Sequence, residues 1–395
     1  MRSFLRQAAA ATIINVKSIP QRLWLSLSTV VAIALVVMVL LAFLAMANGF
    51  RHAMTSAGAD DVAVILRGGA DAEVYSFLSG DQVRLVEDGP GIARGAGGKP
   101  MVSAELYVSV SALRRATLTR ASVPLRGIGR EGDAVRKDIK IIDGRMFNPG
   151  ANEIVVGKGL LSQFHGFELG NTPILRNSQW RVVGVFDAGG SVFESELWAD
   201  LPVVQSLFNQ NNMFQTIRAR LQSSGTLDQL KGYVDKDPRM KLDVKSEAMY
   251  FANEAARTSD LVQKLGWPLA AAMAIGALAG ALNAMYSSVA ARTVEIATLR
   301  AIGFSGLSAF VGTLIEALML ATLGGAIGAI ATFLIFDGMT SSTLGASLTQ
   351  VVFSFKLSPL LLAQGIGLAL IVGFIGGLLP AIHAARMPIV IGLHR

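Results

Sequence analysis

The sequence predicts an α+β membrane protein: four transmembrane helices, with a large extracytoplasmic α+β domain inserted between helices 1 and 2. Three observations predict it. One apolar run lies near the N-terminus and three more crowd the last third of the 395 residues. About 215 mostly polar residues separate the first run from the others. Basic residues gather at one set of span ends, which favours the cytoplasmic side.

Helix 1 rests on Trp24 to Ala47, 24 positions without a charge, where about 20 apolar residues suffice to cross the hydrocarbon core. The run is longer than the h-region of a secretion signal and has Ala45-Met46-Ala47 as its only cleavage-like trio, so it is read as a retained helix. The later runs, 265–289, 307–336 and 357–382, contain a single acid, Glu316. In order, the segments are 1–22, cytoplasmic and amphipathic; helix 1, 23–47; the outer domain with a stalk, 48–262; helix 2, 263–290; a cytoplasmic turn, 291–305; helix 3, 306–336; an outer loop, 337–356; helix 4, 357–382; and a cytoplasmic tail, 383–395. Arg2, Arg6, Lys17 and Arg22 precede helix 1, Arg292 and Arg300 lie in the turn, and Arg386 and Arg395 in the tail. Charge bias and helix parity agree on this orientation. Trp24 and Trp267 stand at span ends, where amphipathic rings prefer the interface.

The net charge of +7 does not mark a nucleic-acid binder. Residues 48–262 hold 25 Lys and Arg against 25 Asp and Glu, so the excess belongs to the membrane part and its flanks. Cysteine is absent, which excludes a thiol catalyst or redox centre and leaves the outer domain to its apolar core. Within it, Glu153–Gly157 and Trp180–Phe186 are short β-branched runs that contain or end in glycine. Residues 159–164 and 201–208 read as short helices, 216–222 as a half-buried alternating strand, 226–234 as an amphipathic helix and 241–244 as another strand. Residues 245–264 have a polar helical pattern running into helix 2, either as one continuous stalk or with a break near Gly266 or Pro268.

Three stretches, in the right order and topology, resemble the MacB/FtsX-like permease subunits of ABC transporters in their four-helix form. The turn Ala291 to Ser305 (ARTVEIATLRAIGFS) looks like that family's coupling helix; Asn152–Gly157 followed by Val182–Asp187 is similar to its periplasmic core domain; and Pro380-Ala381, Ala384-Ala385-Arg386, Pro388 and Leu393 resemble its ending. The closing His394 departs from that pattern, and the short tail leaves little to contact a partner. The resemblance implies a bacterial inner-membrane permease worked by a separate cytoplasmic ABC ATPase, which would bind the ATP and magnesium. A second permease subunit is also implied, as homodimer or heterodimer, with a periplasmic adaptor and outer-membrane channel as optional further partners. No cofactor is expected in the chain itself.

The turn can be read without the resemblance. Ile296, Leu299 and Ile302 recur at helical spacing, Arg292 and Glu295 can pair at i,i+3, and Gly303 can end the helix. Ser305 can cap the next one. Such a helix, with Arg300 at its rim, suits a groove on a soluble partner, or the lipid headgroups that basic amphipathic helices also favour. Residues 2–22 carry the same two readings.

No GxxxxGK[ST] occurs, so the energy source is expected in another polypeptide. Leu78-Ser79-Gly80-Asp81-Gln82 superficially resembles a nucleotide-sensing signature, but it falls in the outer domain without a companion motif. Gly276 and Gly280, Gly324 and Gly328, and Gly373 and Gly377 are small-residue pairs that let helices approach closely, within the subunit or between two. Glu316 lies about 15 Å into helix 3, where a carboxyl is costly. It reads as a buried hydrogen-bonded acid, with Asn283 as candidate partner, or as an ion relay. The four histidines lack metal-ligand spacing, GxSxG is absent, and no enzyme activity is assigned. The function implied is export by mechanotransmission, with regulation of a periplasmic enzyme or sensor as the alternative; the substrate stays open.

Overall fold

The computed structural model describes residues 2–17, 23–95, 97–136, 139–345 and 347–388, with side chains from residue 6 to 15 in the first stretch. Arg22, Leu393, His394 and Arg395 lie outside them, as do the side chains of Arg2 and Lys17. The chain divides into a helical unit (1–46, 261–337 and 356–395) and a sheet unit (47–260 and 338–355).

The chain opens with α1 (Arg2–Lys17) and α2 (Leu23–Thr55), followed by β1 (Val62–Arg67), β2 (Leu78–Ser79) and α3 (Gly80–Glu87). Ser79 and Gln82 form a reciprocal capping box that starts α3, so the stretch resembling a nucleotide signature is a helix cap. Next come β3 (Val102–Leu113), β4 (Arg120–Ile128), α4 (Gly132–Val135), β5 (Lys140–Gly144), β6 (Glu153–Gly157) and α5 (Lys158–Gln163). A small pair, β7 (Ile174–Leu175) and β8 (Ser178–Gln179), precedes β9 (Arg181–Asp187), β10 (Leu197–Asp200) and α6 (Leu201–Leu207). The domain closes with β11 (Met213–Phe214), β12 (Thr216–Arg220), α7 (Leu227–Lys236) and β13 (Leu242–Ser246). Then follow α8 (Glu247–Ala291), α9 (Thr293–Ala301), α10 (Gly306–Phe336), the strands β14 (Thr340–Leu344) and β15 (Gln350–Ser354), and α11 (Pro359–Arg386).

In the sheet unit nine strands form one sheet, ordered β13-β1-β12-β3-β4-β10-β6-β9-β5. Its neighbours are antiparallel except β4 with β10 and β6 with β9. Alternation puts successive side chains on opposite faces. Leu106, Val108, Val123 and Leu125 join Val156, Trp180 and α6 in one apolar cluster. Ala63, Ile65, Ile217 and Ala219 join α3 and α7 in another. Segment 216–222 differs from its half-buried expectation: all of β12 is buried, Arg218 and Arg220 included. The 337–356 segment, expected as a loop, carries the β14–β15 hairpin, which packs on the sheet unit. Val352 enters the first cluster, and its backbone N–H donates to Ser195 Oγ at 2.8 Å.

In the helical unit, α2, α8, α10 and α11 are long and apolar enough to cross a membrane. At 45 residues, α8 is roughly 65–70 Å long, more than twice the hydrocarbon thickness. It continues through Pro268 rather than ending there. The glycine pairs behave differently. A Cβ on Gly324 or Gly328 would strike Val30, Ile33, Ala34 and Val37 of α2, and one on Gly373 or Gly377 would strike Ala321 and Ala317 of α10. Around Gly276 and Gly280 there is open space, so this pair packs no helix among the described residues of the chain.

Candidate functional site

The turn after α8 is built on Arg292. Its guanidinium is buried, at 4 % exposure, and Nη1 donates to Glu316 Oε2 at 3.1 Å while Nη2 donates to the Asn15 carbonyl at 2.9 Å. Ser288 Oγ donates to the other carboxylate oxygen at 3.2 Å. Two expectations are corrected here. Arg292 pairs with Glu316 on α10 rather than with Glu295 at i,i+3, because the buried acid needs a cation far more than the exposed one does. Asn283 is exposed on α8, whereas Ser288 near the end of α8 and Arg292 just beyond it are buried against Glu316. The basic partner was hidden because Arg292 stands just beyond the apolar run, one helix away.

α9 is held from both ends. Ile296 is buried with Val289, Ala384 and Met387, and Arg300 donates to the Met387 carbonyl. Gly303 takes φ +104°, the left-handed turn that a Cβ would oppose, and Ser305 caps α10 by accepting from Ser308 N at 3.2 Å. α1 packs alongside: Gln7 Oε1 accepts from Ser305 N and from Ser308 Oγ, each at 3.3 Å, and Ala11 and Asn15 lie against Gly312. Ile296, Leu299 and Ile302 therefore do not share one outward face. Ile296 is in the chain's own core and Leu299 is half-buried, while Ile302 is 70 % exposed. The outward residues are Val294, Glu295, Thr298, Ala301 and Ile302.

The sheet unit has a second polar assembly. Glu105 accepts from Arg136 Nη1 and Nη2 at 2.7 and 2.8 Å, from Arg126 Nη1 at 2.9 Å and from Arg218 Nε at 3.2 Å. Glu73 accepts from Arg126 and Arg218 at 2.8 and 2.7 Å, Glu196 from Arg126 and from Trp198 Nε1 at 2.7 Å each, and Glu247 from Arg218. Arg126 also stacks on Tyr107, and Arg136 on Phe193 and Trp198. Burial alone would raise the Glu105 carboxyl, but Arg136, Arg126 and Arg218 outweigh it and hold it well below the usual range. The same balance lowers Glu73, whereas burial wins at Glu247 and raises it despite Arg218. Sequence reading missed this cluster. The one available signal was Arg218 and Arg220 alternating within a β-branched strand, which reads equally well as an exposed face.

Comparison with known proteins matches two stretches of the chain. Residues 26–236 match the MacB-like periplasmic core domain, and residues 269–389 the FtsX-like permease C-terminal domain. The chain is 26 % identical over 338 residues to a macrolide export ATP-binding/permease protein MacB 1 of Aeromonas hydrophila subsp. hydrophila, covering 80 % of this chain and 49 % of that one. It is 26 % identical over 267 residues to the pyoverdine export ATP-binding/permease protein PvdT of Pseudomonas entomophila, covering 62 % and 39 %. It thus spans about half the length, or less, of these curated relatives. Among solved structures, the periplasmic region of MacB from Actinobacillus actinomycetemcomitans is 14 % identical with a TM-score of 0.37, covering 49 % of this chain and 92 % of that one. With its four membrane-length helices and a MacB-like periplasmic core domain between the first and the second, the chain is a multi-pass inner-membrane protein and belongs to the MacB/FtsX-like ABC transporter permease family.

Proposed function

We propose that this chain is the permease subunit of an ATP-driven exporter of the mechanotransmission type. A separate cytoplasmic ATPase, which holds the ATP and magnesium, docks on α9. Nucleotide-driven movement of that ATPase is passed along α8 to the periplasmic domain, which drives substrate from outside the membrane. Two permease subunits serve the two ATPase subunits, with an adaptor and an outer-membrane channel completing the path. The observation that carries this reading is the outward face of α9, where Val294 and Ile302 are 50 % and 70 % exposed on a helix anchored from behind by Ile296 and Arg300. An apolar pair on a rigidly held helix suits a groove on a partner.

Affinity purification from native membranes tests it. The chain is expected to bring down a vanadate-sensitive ATPase, and the double substitution Val294→Asp/Ile302→Asp is expected to lose at least tenfold of that ATPase while inserting normally. Undiminished recovery with the double variant would remove α9 from the coupling.

A further inference from the structure

Glu254 stands two turns into α8, on the stalk portion that belongs to the sheet unit. It is 8 % exposed, and its Oε1 is buried without a hydrogen-bond partner among the described residues. It lines a small, partly open cavity together with Glu73, Tyr107, Arg126, Glu196 and Tyr250. Every buried arginine here is committed elsewhere: Arg126 to Glu73, Glu105 and Glu196, Arg136 to Glu105, and Arg218 to Glu73, Glu105 and Glu247. Five carboxyls (Glu73, Glu105, Glu196, Glu247 and Glu254) therefore face three guanidiniums, an excess of two negative charges if all were ionised. A low-dielectric interior resists such an excess, and each proton taken up reduces it by one; burial raises Glu247 as well as Glu254.

The groups that face Glu254 do not remove it. The turn at 73–75 brings Glu73, another negative charge. β3 brings Tyr107, β4 brings Arg126, β12 brings Arg218, and Glu196 precedes β10; Arg136, just after α4, is held by Glu105. The hairpin residues at the cavity, among them Thr349, carry no ionisable group. On α8 itself Glu247 and Tyr250 are buried, and Arg257 is exposed and engaged with Asp71 at 3.2 Å. We propose that the cavity is a proton-binding site, in which Glu254 takes up one proton when the first turns of α8 pack on the periplasmic domain, and that loss of this proton loosens the packing.

Burial, reinforced by Glu73, pushes the Glu254 carboxyl up to about 7 from 4.5, against smaller opposing effects of Tyr250, Arg257 and Arg218. A raised value means that the packed state holds the proton more tightly than the open one. The contribution to packing is therefore fully present below about 4.5 and is lost as pH rises through about 7. In this window the opening constant rises up to about tenfold per pH unit and then levels off.

The test compares the full-length chain in lipid nanodiscs with its Glu254→Gln variant, whose side chain imitates the neutral acid. Hydrogen exchange of amides 248–258 is measured in both at the same pH, so that intrinsic exchange chemistry cancels. The expected result is a wild-type to E254Q opening ratio that rises about thirtyfold from pH 5.5 to 8.5. A ratio that stays flat overturns the proposal. So does a rise that sodium or potassium abolishes and N-methylglucamine does not, since that would assign the charge to a bound monovalent cation. Should E254Q fail to fold, the infrared band of a protonated carboxyl in the wild-type protein must weaken across pH 7. Its absence at pH 5.5 is equally fatal. The readout requires no ATPase, so its failure is separable from failure of the export reading.

Discussion

Arg292 and Glu316 form a buried ion pair next to the turn that the export reading needs, and the pair lends itself to a direct test. Removing one member of such a pair strands the other, at a cost of about 3–5 kcal/mol, whereas replacing both with apolar residues of similar volume is often neutral. Glu316→Ala is expected to lower the thermal midpoint of the solubilised chain by an amount consistent with that cost. Arg292→Met/Glu316→Met is expected to recover most of it. If the double variant recovers stability but not ATPase coupling, the pair has a role in transmission; if both return, it is architectural. Glu316 could be picked out in the sequence as the lone acid of the spans, but its partner could not, because the pairing joins the end of one helix to the middle of another.

Among the elements, the two glycine pairs of α10 and α11 differ from the pair on α8 in a way spacing alone does not reveal. Gly377→Leu is expected to destabilise the single chain strongly, because Ala317 occupies the space a side chain would need, and overpacking costs about 1–3 kcal/mol or more. Gly276→Leu is expected to leave the thermal midpoint of the single chain unchanged, since Gly276 is exposed and a Cβ there meets nothing within 4 Å. Chemical crosslinking of two tagged copies then separates the readings of that face. A loss of crosslinking in the Gly276→Leu variant assigns it to subunit contact, and unchanged crosslinking leaves it to lipid. The helix spans were legible from their uncharged length, and the short helices α5 and α6 and the strands β6 and β9 from local composition and pattern. The β14–β15 hairpin was not, since its mixed Ser, Thr and Gly composition reads as a loop until the sheet unit supplies a surface for Val352.

For the whole molecule, the two-unit organisation predicts separable functions. Deleting residues 60–245 removes most of the sheet unit and leaves the described contacts of α9, α10 and α11 within the helical unit intact. The shortened chain is expected to insert and still recover the ATPase, but to lose export. Retained export would show that the periplasmic domain is not the moving part, and loss of the ATPase would place part of the docking surface outside α9.

The sequence by itself determined the number of spans, their orientation, the insertion of an α+β domain between the first and second, and the position of the turn, because hydrophobic length, charge bias and short-range periodicity are properties of contiguous residues. Only the tertiary structure decided which charges are partners. Arg292 found Glu316, Arg218 found Glu73, Glu105 and Glu247, and Glu254 was left with a buried unpartnered oxygen. Such pairings depend on strands and helices far apart in the chain being brought to one place of low dielectric, where an ionisable group must find a countercharge or take up a proton.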